Sequence, residues 1–283
     1  MTDQQKHPLT FGIFLKFWRN LHQLSQEELA FRHGSSPRHI SRLENGSSRP
    51  SEKFIEEIAE VLTLGERDRN HLRMSAGYSP MQKKISFNDP QLKWLRKAMR
   101  LTLKSMDPYP TTLTDSVGNL LMVNRGWVGF YQKTLPNVDI NKVHNVYDFM
   151  FGRDGSGPII SDWDNTLSMI LMALQQDTML SEGEGEEKKA LLERLLKNPT
   201  VPNDWKQRAA TLEPMASFRL QINYDGSLEQ FYNVNQTVGA MGPAAYASQP
   251  NLTITTLYPE DETIDLTNLM AGDLDHPLLF KQG

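Results

Sequence analysis

Residues 24–50 constrain the fold of this chain more than any other stretch. Ser25 precedes a short apolar-periodic run and has Glu28 three residues on, a spacing typical of a capping box at the start of a helix. Gly34 then supplies a residue that tolerates positive φ, as a tight turn requires. Ser36 has the character of a second N-cap. The pattern predicts two short helices joined by a tight turn.

The second of these helices has an apolar inner face and a polar outer face. Ile40 and Leu43, three residues apart, are expected to point inward. The side chains left outside are Pro37, Arg38, His39, Ser41 and Arg42. In a helix-turn-helix this helix enters the DNA major groove, where arginine can pair with guanine O6 and N7. Pro37 has no donor, which leaves it a thymine methyl or no base at all. A helical hairpin without a nucleic-acid role is disfavoured, because caps, turn and outward arginines agree.

The same stretch carries a family resemblance. The motifs at residues 26–30, 34–36, 40–46 and 50–51 resemble the lambda-repressor-like (Xre family) DNA-binding domain, over residues 9–75 in order and without gaps. The resemblance places the outer residues of the second helix on the base-reading face. It also implies a set of phosphate contacts, made by Gln26, Asn45, Ser47, Ser48 and Arg49.

Charge is unevenly distributed along the chain. Residues 1–50 hold seven Lys and Arg against four Asp and Glu, a balance of +3, which leaves −7 for the rest of a chain whose net charge is −4. A small basic module attached to an acidic body is typical of a protein that touches double-stranded DNA through one face.

Composition also restricts compartment and chemistry. The chain has no cysteine, which excludes disulfides and thiolate metal sites and favours a reducing compartment. The N-terminal residues lack an apolar run before Phe11, so no secretory signal is expected. No stretch approaches the roughly 18 apolar residues of a membrane span. We therefore expect a cytoplasmic protein without a membrane partner.

The element pattern divides the 283 residues into two domains and a linker. Residues 1–77 predict an all-α bundle of five helices. Residues 78–90 contain two prolines and two lysines without apolar periodicity, which indicates an interdomain linker. Residues 91–283 predict a second domain of the α+β class.

Within the second domain the apolar period changes along the chain. An amphipathic helix over residues 89–106 precedes two short strands that form a hairpin before Asn124. Residues 162–208 have a helical period. Three strand-like runs follow between residues 217 and 260, and Asp225-Gly226 separates the first two as a two-residue hairpin turn. The expected architecture is an antiparallel sheet with inserted helices.

The hairpin carries a second resemblance. The pattern Asp115-x-x-Gly118-Asn119, followed by Asn124, resembles the opening of a PAS domain. The whole layout, a repressor-like bundle and then a PAS-like domain with a helical insertion, resembles the MmyB-like regulators. That resemblance implies a dimeric transcription factor whose second domain binds a small apolar effector such as a fatty acid.

Apolar side chains of the second domain supply a candidate effector pocket. Its predicted lining is aromatic, Met and Leu: Trp127, Phe130, Tyr131, Phe149, Phe151, Met169, Met172, Phe218, Leu220 and Tyr232. For each residue alone, ordinary core packing is the simpler explanation. Together they supply what a small apolar ligand site requires. Arg125, Arg219 and the tyrosine hydroxyls are candidate donors to a carboxylate head group.

Enzymatic chemistry has little support in the sequence. The seven histidines are scattered without metal-ligand spacing, and neither a G-x-S-x-G elbow nor a Walker lysine occurs. We therefore expect no catalytic residues, no metal and no cofactor other than the effector.

The resulting hypothesis is a homodimeric regulator that binds a short DNA operator and whose affinity is tuned by a small apolar effector. The alternative is an antitoxin-like or partner-regulated repressor, whose second domain only dimerises or binds a protein.

Overall fold

A computed structural model describes residues 6–81, 85–152, 155–180, 186–212, 217–239 and 251–279. The chain divides into a first compact unit that contains Met1–Lys84 and a second that contains Ile85–Val238 and Pro250–Gly283.

The first unit is helical throughout its described elements. Its helices are α1 Lys6–Leu21, α2 Gln26–His33, α3 Pro37–Glu44, α4 Glu52–Val61 and α5 Glu66–Ser75. The apolar positions that the sequence pattern places inside form one core, which includes Phe11, Leu15, Ile40, Leu43 and Ile58, all fully buried. The predicted all-α five-helix bundle is confirmed.

The caps of α2 and α3 follow the local chemistry of the sequence. Ser25 Oγ accepts a hydrogen bond from the Glu28 N–H at 3.0 Å, and Ser36 Oγ accepts one from the His39 N–H at 3.2 Å. Gly34 ends α2 at φ +76°. One detail of the predicted capping box is wrong: Glu28 Oε1 accepts from Arg32 at 2.6 Å instead of reaching back to the cap.

Helix α3, the recognition helix, is held against α1 by a close backbone approach. A Cβ on Gly12 would lie 2.4 Å from the Glu44 carbonyl oxygen and 2.5 Å from that of Leu43. Carbon and oxygen cannot approach so closely without a shift of one helix. Only a glycine therefore permits this spacing between α1 and α3.

A buried ion pair joins the same two helices. Arg19 Nε donates to Glu44 Oε1 at 2.6 Å and Arg19 Nη2 to Glu44 Oε2 at 3.0 Å. The two side chains are only 10% and 5% exposed. The guanidinium also donates to the Leu24 carbonyl at 2.8 Å. Because both charges are paired and hydrogen-bonded, their burial is tolerated.

Much of the predicted linker makes hydrogen bonds to one of the units. Tyr78 Oη donates to the Pro50 carbonyl at 3.0 Å, and the Met81 N–H donates to Asn70 Oδ1 at 2.8 Å. Phe87 belongs to a core cluster of the second unit. The division between the two units falls between Lys84 and Ile85, within the predicted linker of residues 78–90. Residues 82–84 lie outside the described part of the chain.

The second unit begins with helix α6 and contains a sheet with inserted helices. Its elements are α6 Lys93–Ser105, β1 Thr111–Thr114, β2 Leu120–Val123, α7 Arg125–Thr134, α8 Val146–Phe151, α9 Trp163–Leu180, α10 Glu186–Leu196, α11 Trp205–Thr211, β3 Ser217–Tyr224, β4 Ser227–Val238 and β5 Leu252–Pro259. This confirms an α+β unit of a hairpin, helices and a three-stranded meander; the short helix α8 was not predicted.

The five strands form one antiparallel sheet in the order β2-β1-β5-β4-β3. Asn124 fixes the end of the first hairpin, since its Oδ1 accepts from both the Thr111 and the Trp127 N–H at 2.9 Å. Asp225 and Gly226, at φ +56° and +84°, make the predicted two-residue turn between β3 and β4.

Both outer strands of this sheet are partly covered by other segments of the unit. On β2, the Val123 N–H donates to the Leu278 carbonyl at 3.2 Å, and the Leu120 N–H donates to that of His144 at 2.8 Å. On β3, the Gln221 carbonyl accepts from the Ser161 N–H at 2.9 Å. The backbone groups at these positions are therefore paired within the chain.

Candidate DNA interface and effector site

The predicted base-reading residues lie on one outer side of the recognition helix. Pro37, Arg38, His39 and Arg42 are exposed and Ser41 is half-buried. Within the described residues, neither Arg38 nor Arg42 pairs with a carboxylate. Two uncommitted guanidinium groups, one turn apart on a rigid helix, are suited to pair with guanine edges or phosphates.

His39 is held differently from the two arginines. Its ring stacks on Phe54 of α4, with centroids 5.2 Å apart and planes 9° apart. The His33 ring packs against the same phenyl ring, with centroids 4.5 Å apart. Burial lowers the pKa of His33. His39 therefore lies at the rim of the recognition face, packed toward α4.

The loop after the recognition helix is shaped by its own backbone. Asn45 Oδ1 accepts from the Ser47 N–H at 2.9 Å. The Ser47 and Ser48 N–H groups also donate to the Arg42 carbonyl, at 2.8 and 3.2 Å. These bonds fix the position of two hydroxyl groups and one amide beside the C-terminal end of α3. This is where the family resemblance expects phosphate contacts.

The remaining two predicted phosphate contacts have partners within the first unit. Gln26 Nε2 donates to Glu44 Oε2 at 2.7 Å, which ties the start of α2 to the end of the recognition helix. The Arg49 guanidinium lies over the Tyr78 ring, 4.9 Å from its centroid. Stacking leaves the edge of a guanidinium free to donate, so this contact orients Arg49.

In the second unit, four of the predicted pocket residues come together but pack against one another. The ring centroid of Trp127 lies 5.1 Å from that of Tyr131 and 6.3 Å from that of Phe149. The centroids of Tyr131 and Phe149 are 5.0 Å apart. Phe130 contacts Tyr131 at 5.2 Å and Phe231 at 5.6 Å. These rings pack directly against one another and leave no room for a ligand between them, as in an ordinary core.

The other predicted pocket residues are dispersed. Phe151 and Met172 belong to a separate core cluster on the α9–α10 side of the unit. Tyr232 lies on the opposite face of β4 from the buried Phe231, and its hydroxyl donates to Glu260 at 3.1 Å. The side chain of Phe218 lies outside what the structure describes. The nine predicted pocket residues whose side chains are described therefore do not line a single cavity.

A cleft of about 340 Å³ lies at the β3 side of the sheet. It is lined by the segment that leads into α9, by the first turns of α9, by the residue after α11, and by β3 and β4: Ile160, Ser161, Asp162, Asn165, Thr166, Met169, Leu212, Arg219, Leu220, Gln221 and Gln230. Met169 and Leu220 are the two predicted pocket residues that meet here. The lining combines an apolar floor with hydroxyl, amide and charged groups.

The two arginines among the candidate head-group donors already have hydrogen-bond partners. Arg125 Nη2 donates to the Met270 carbonyl. Arg219 Nε donates to Glu260 Oε2 at 2.8 Å, and this hydrogen bond raises the pKa of Arg219. Arg219 borders the cleft, whereas Arg125 does not line it. Burial raises the pKa of Tyr131.

Comparison with known families agrees with this division into a helix-turn-helix and a second, larger unit. The model of the MmyB-like transcription regulator ligand binding domain matches residues 95–266, which is more than half of the chain. The chain belongs to this family. A helix-turn-helix model matches residues 15–68. No curated protein matched the chain.

The MmyB-like assignment establishes a DNA-binding transcription regulator with a ligand-binding domain, as the sequence resemblance implied. Across the described ranges, no helix is both long and apolar enough to cross a membrane. In those same ranges, no three His, Cys, Asp or Glu side chains are grouped so that they could hold a metal ion.

Sequence reasoning missed most of the cleft. Ser161 Oγ donates to Gln221 Oε1 at 2.8 Å, and Asn165 Nδ2 donates to Asp162 Oδ2 at 3.1 Å. From the sequence, Asp162 is expected to be a charge at the start of a helix. Gln221 is expected to be an ordinary strand residue. Their common location depends on the bridge between Ile160 and β3, which no local pattern indicates.

Proposed function

We propose that this chain is a homodimeric, sequence-specific DNA-binding regulator whose affinity is tuned by a small apolar or amphipathic effector. The main support for DNA binding is the pair Arg38 and Arg42, which are exposed and have no carboxylate partner in the described structure. Both lie on the recognition helix, which the Arg19–Glu44 ion pair holds in place. Two copies on a palindrome supply the base contacts that one small bundle lacks.

The effector part is supported by the family and by the cleft between β3 and α9. Its volume of about 340 Å³ is at the lower end of the range of roughly 300–1,000 Å³ for small-molecule sites. Met169 and Leu220 supply apolar surface, and Asn165 and Gln221 supply polar groups. A PAS-like architecture is supported by the hairpin, inserted helices and meander. We therefore expect a compact effector that carries both apolar and polar groups.

The test of DNA recognition begins with selection of a bound sequence from a random-duplex pool. We expect Arg42→Ala or Arg38→Ala to weaken binding to that sequence by about 1–3 kcal/mol and to relax preference at one base pair per half-site. Arg49→Ala should weaken all duplexes alike and flatten the salt dependence. Arg67→Ala, on the exposed side of α5, is the control.

Equal, sequence-independent losses from Arg42→Ala and Arg49→Ala would contradict the placement of the recognition helix. Native mass spectrometry of the full chain tests the rest. A dimer that carries a small molecule supports the proposal, and Leu220→Trp should then reduce its occupancy. A stoichiometric protein partner without a small molecule would favour the partner-regulated alternative.

A further inference from the structure

Helix α6 of the second unit carries five cations and no carboxylate in the sequence KWLRKAMRLTLKS. Four of them recur at helical spacing along one side of the helix, and we call them the cation row: Lys93, Lys97, Arg100 and Lys104. At about 1.5 Å of rise per residue the row is about 16 Å long. Met99 and Leu103 pack α6 onto the core, so the helix is firmly placed.

The charges of the cation row are open to a partner. Its three lysines are exposed and Arg100 is half-buried. Among the described residues, no carboxylate oxygen lies within ion-pair distance of any of the four. The fifth cation, Arg96, differs, because it donates to the Phe87 and Asp89 carbonyls at 2.7 and 2.6 Å. Like charges four residues apart destabilise a helix, so the row is unfavourable until an anion neutralises it.

An apolar stripe runs beside the cation row. Trp94 is 73% exposed and Leu101 57% exposed. Lys93 Nζ and Lys97 Nζ lie 5.8 and 6.0 Å from the Trp94 ring centroid. The exposed indole therefore lies within cation–π distance of two ammonium groups.

We propose that the cation row of α6 is a second DNA-contact surface, which binds backbone phosphates of the duplex. This inference rests on the proposed DNA-binding function. Rows of lysine and arginine bind phosphates without regard to sequence. The first unit extends to Lys84 along the chain, and α6 is the next α-helix. A basic and aromatic helix also suits an anionic membrane, but only DNA is brought to this protein by its own first unit.

The test uses the full chain and a random-sequence duplex, whose binding is electrostatic. The variant Lys93→Gln/Lys97→Gln/Lys104→Gln removes the exposed charges of the row. The matched control removes three exposed lysines elsewhere on the same unit: Lys189→Gln, Lys197→Gln and Lys206→Gln. Log K falls as log salt rises, and each lost phosphate contact reduces the magnitude of this negative slope by about 0.9. We expect the magnitude to decrease by about 2 to 3 for the first variant. We expect no decrease for the control.

The charge-retaining variant Lys93→Arg/Lys97→Arg/Lys104→Arg should keep the salt dependence of the wild type. Unfolding midpoints equal to that of the wild type would show that the glutamine variants fold. If both glutamine variants had the same salt slope, the α6 inference would be wrong. Weaker DNA binding by Arg49→Ala in the same assay would still support the proposed DNA-binding function. A wild-type chain that does not bind duplex DNA would overturn both. If the α6 variant lost sedimentation with phosphatidylserine vesicles but kept its DNA slope, the surface would be a membrane contact and the inference would be wrong.

Discussion

Removal of the Glu44 carboxylate tests how the recognition helix is held. In Glu44→Ala, Arg19 keeps its bond to the Leu24 carbonyl but loses both bonds to the carboxylate. Its side chain is only 10% exposed, so water reaches it poorly. Breaking a buried pair by removing one partner costs about 3–5 kcal/mol. That loss is large beside the roughly 5–15 kcal/mol that stabilises a typical domain.

The assay is hydrogen exchange of the full chain, read by mass spectrometry on peptides from α2 and α3, because it reports the opening free energy of this unit alone. Arg32→Ala is the matched control. The Arg32–Glu28 pair has the same 2.6 Å separation as Arg19–Glu44, but its side chains are 49% and 50% exposed. Such a pair contributes only about 0.3–0.5 kcal/mol.

The double variant Arg19→Met/Glu44→Leu separates charge from packing. Replacement of a buried ion pair by apolar groups of similar volume is often neutral, so this variant should recover most of the lost protection. The reasoning would fail if Glu44→Ala cost no more than Arg32→Ala. It would also fail if the double variant were as unstable as Glu44→Ala, because the unpaired cation would then not be the cause.

Two further predictions concern stability. Gly12→Ala should destabilise the first unit by about 1–3 kcal/mol, because its Cβ would lie 2.4 Å from a carbonyl oxygen. Gly65→Ala, with open space around the new Cβ, should cost less, because it changes only the N-cap residue of α5. Equal shifts in thermal unfolding would refute this. Burial lowers the pKa of His276, whose Nδ1 accepts from the Leu278 N–H. The unfolded chain therefore takes up the proton first, and stability should fall as pH drops below about 6.5 toward the folded pKa. His276→Gln should flatten that fall in urea titrations of the second unit, and an unchanged pH dependence would count against it.

Local chemistry explains which features of the fold were predictable. Ser25, Gly34 and Ser36 act within a few residues of themselves, so their caps and turn can be predicted from sequence and were confirmed. Apolar periodicity likewise identified the buried faces. Glu28 is the exception, because two partners lie within its reach and the sequence does not rank them.

The candidate effector site was less predictable for a physical reason. Periodicity shows that Trp127, Phe130 and Phe149 point inward, but not that their rings fill the space between them. Tyr232 follows the inward residue Phe231 on a strand whose side chains alternate, so it lies on the other face of β4. The cleft itself depends on long-range pairing between residues before α9 and strand β3.

The covered strand edges of the sheet restrict how copies of this chain can associate. An open edge offers unpaired N–H and C=O groups to any neighbouring strand, which is a common route to aggregation. Here Leu278 and His144 occupy positions along β2, and Ser161 occupies one along β3. A continuous intermolecular sheet would have to displace these segments first. Association of two copies through side-chain surfaces therefore has a lower barrier than association through the strand edges. Such contacts can form and dissociate without unfolding the sheet.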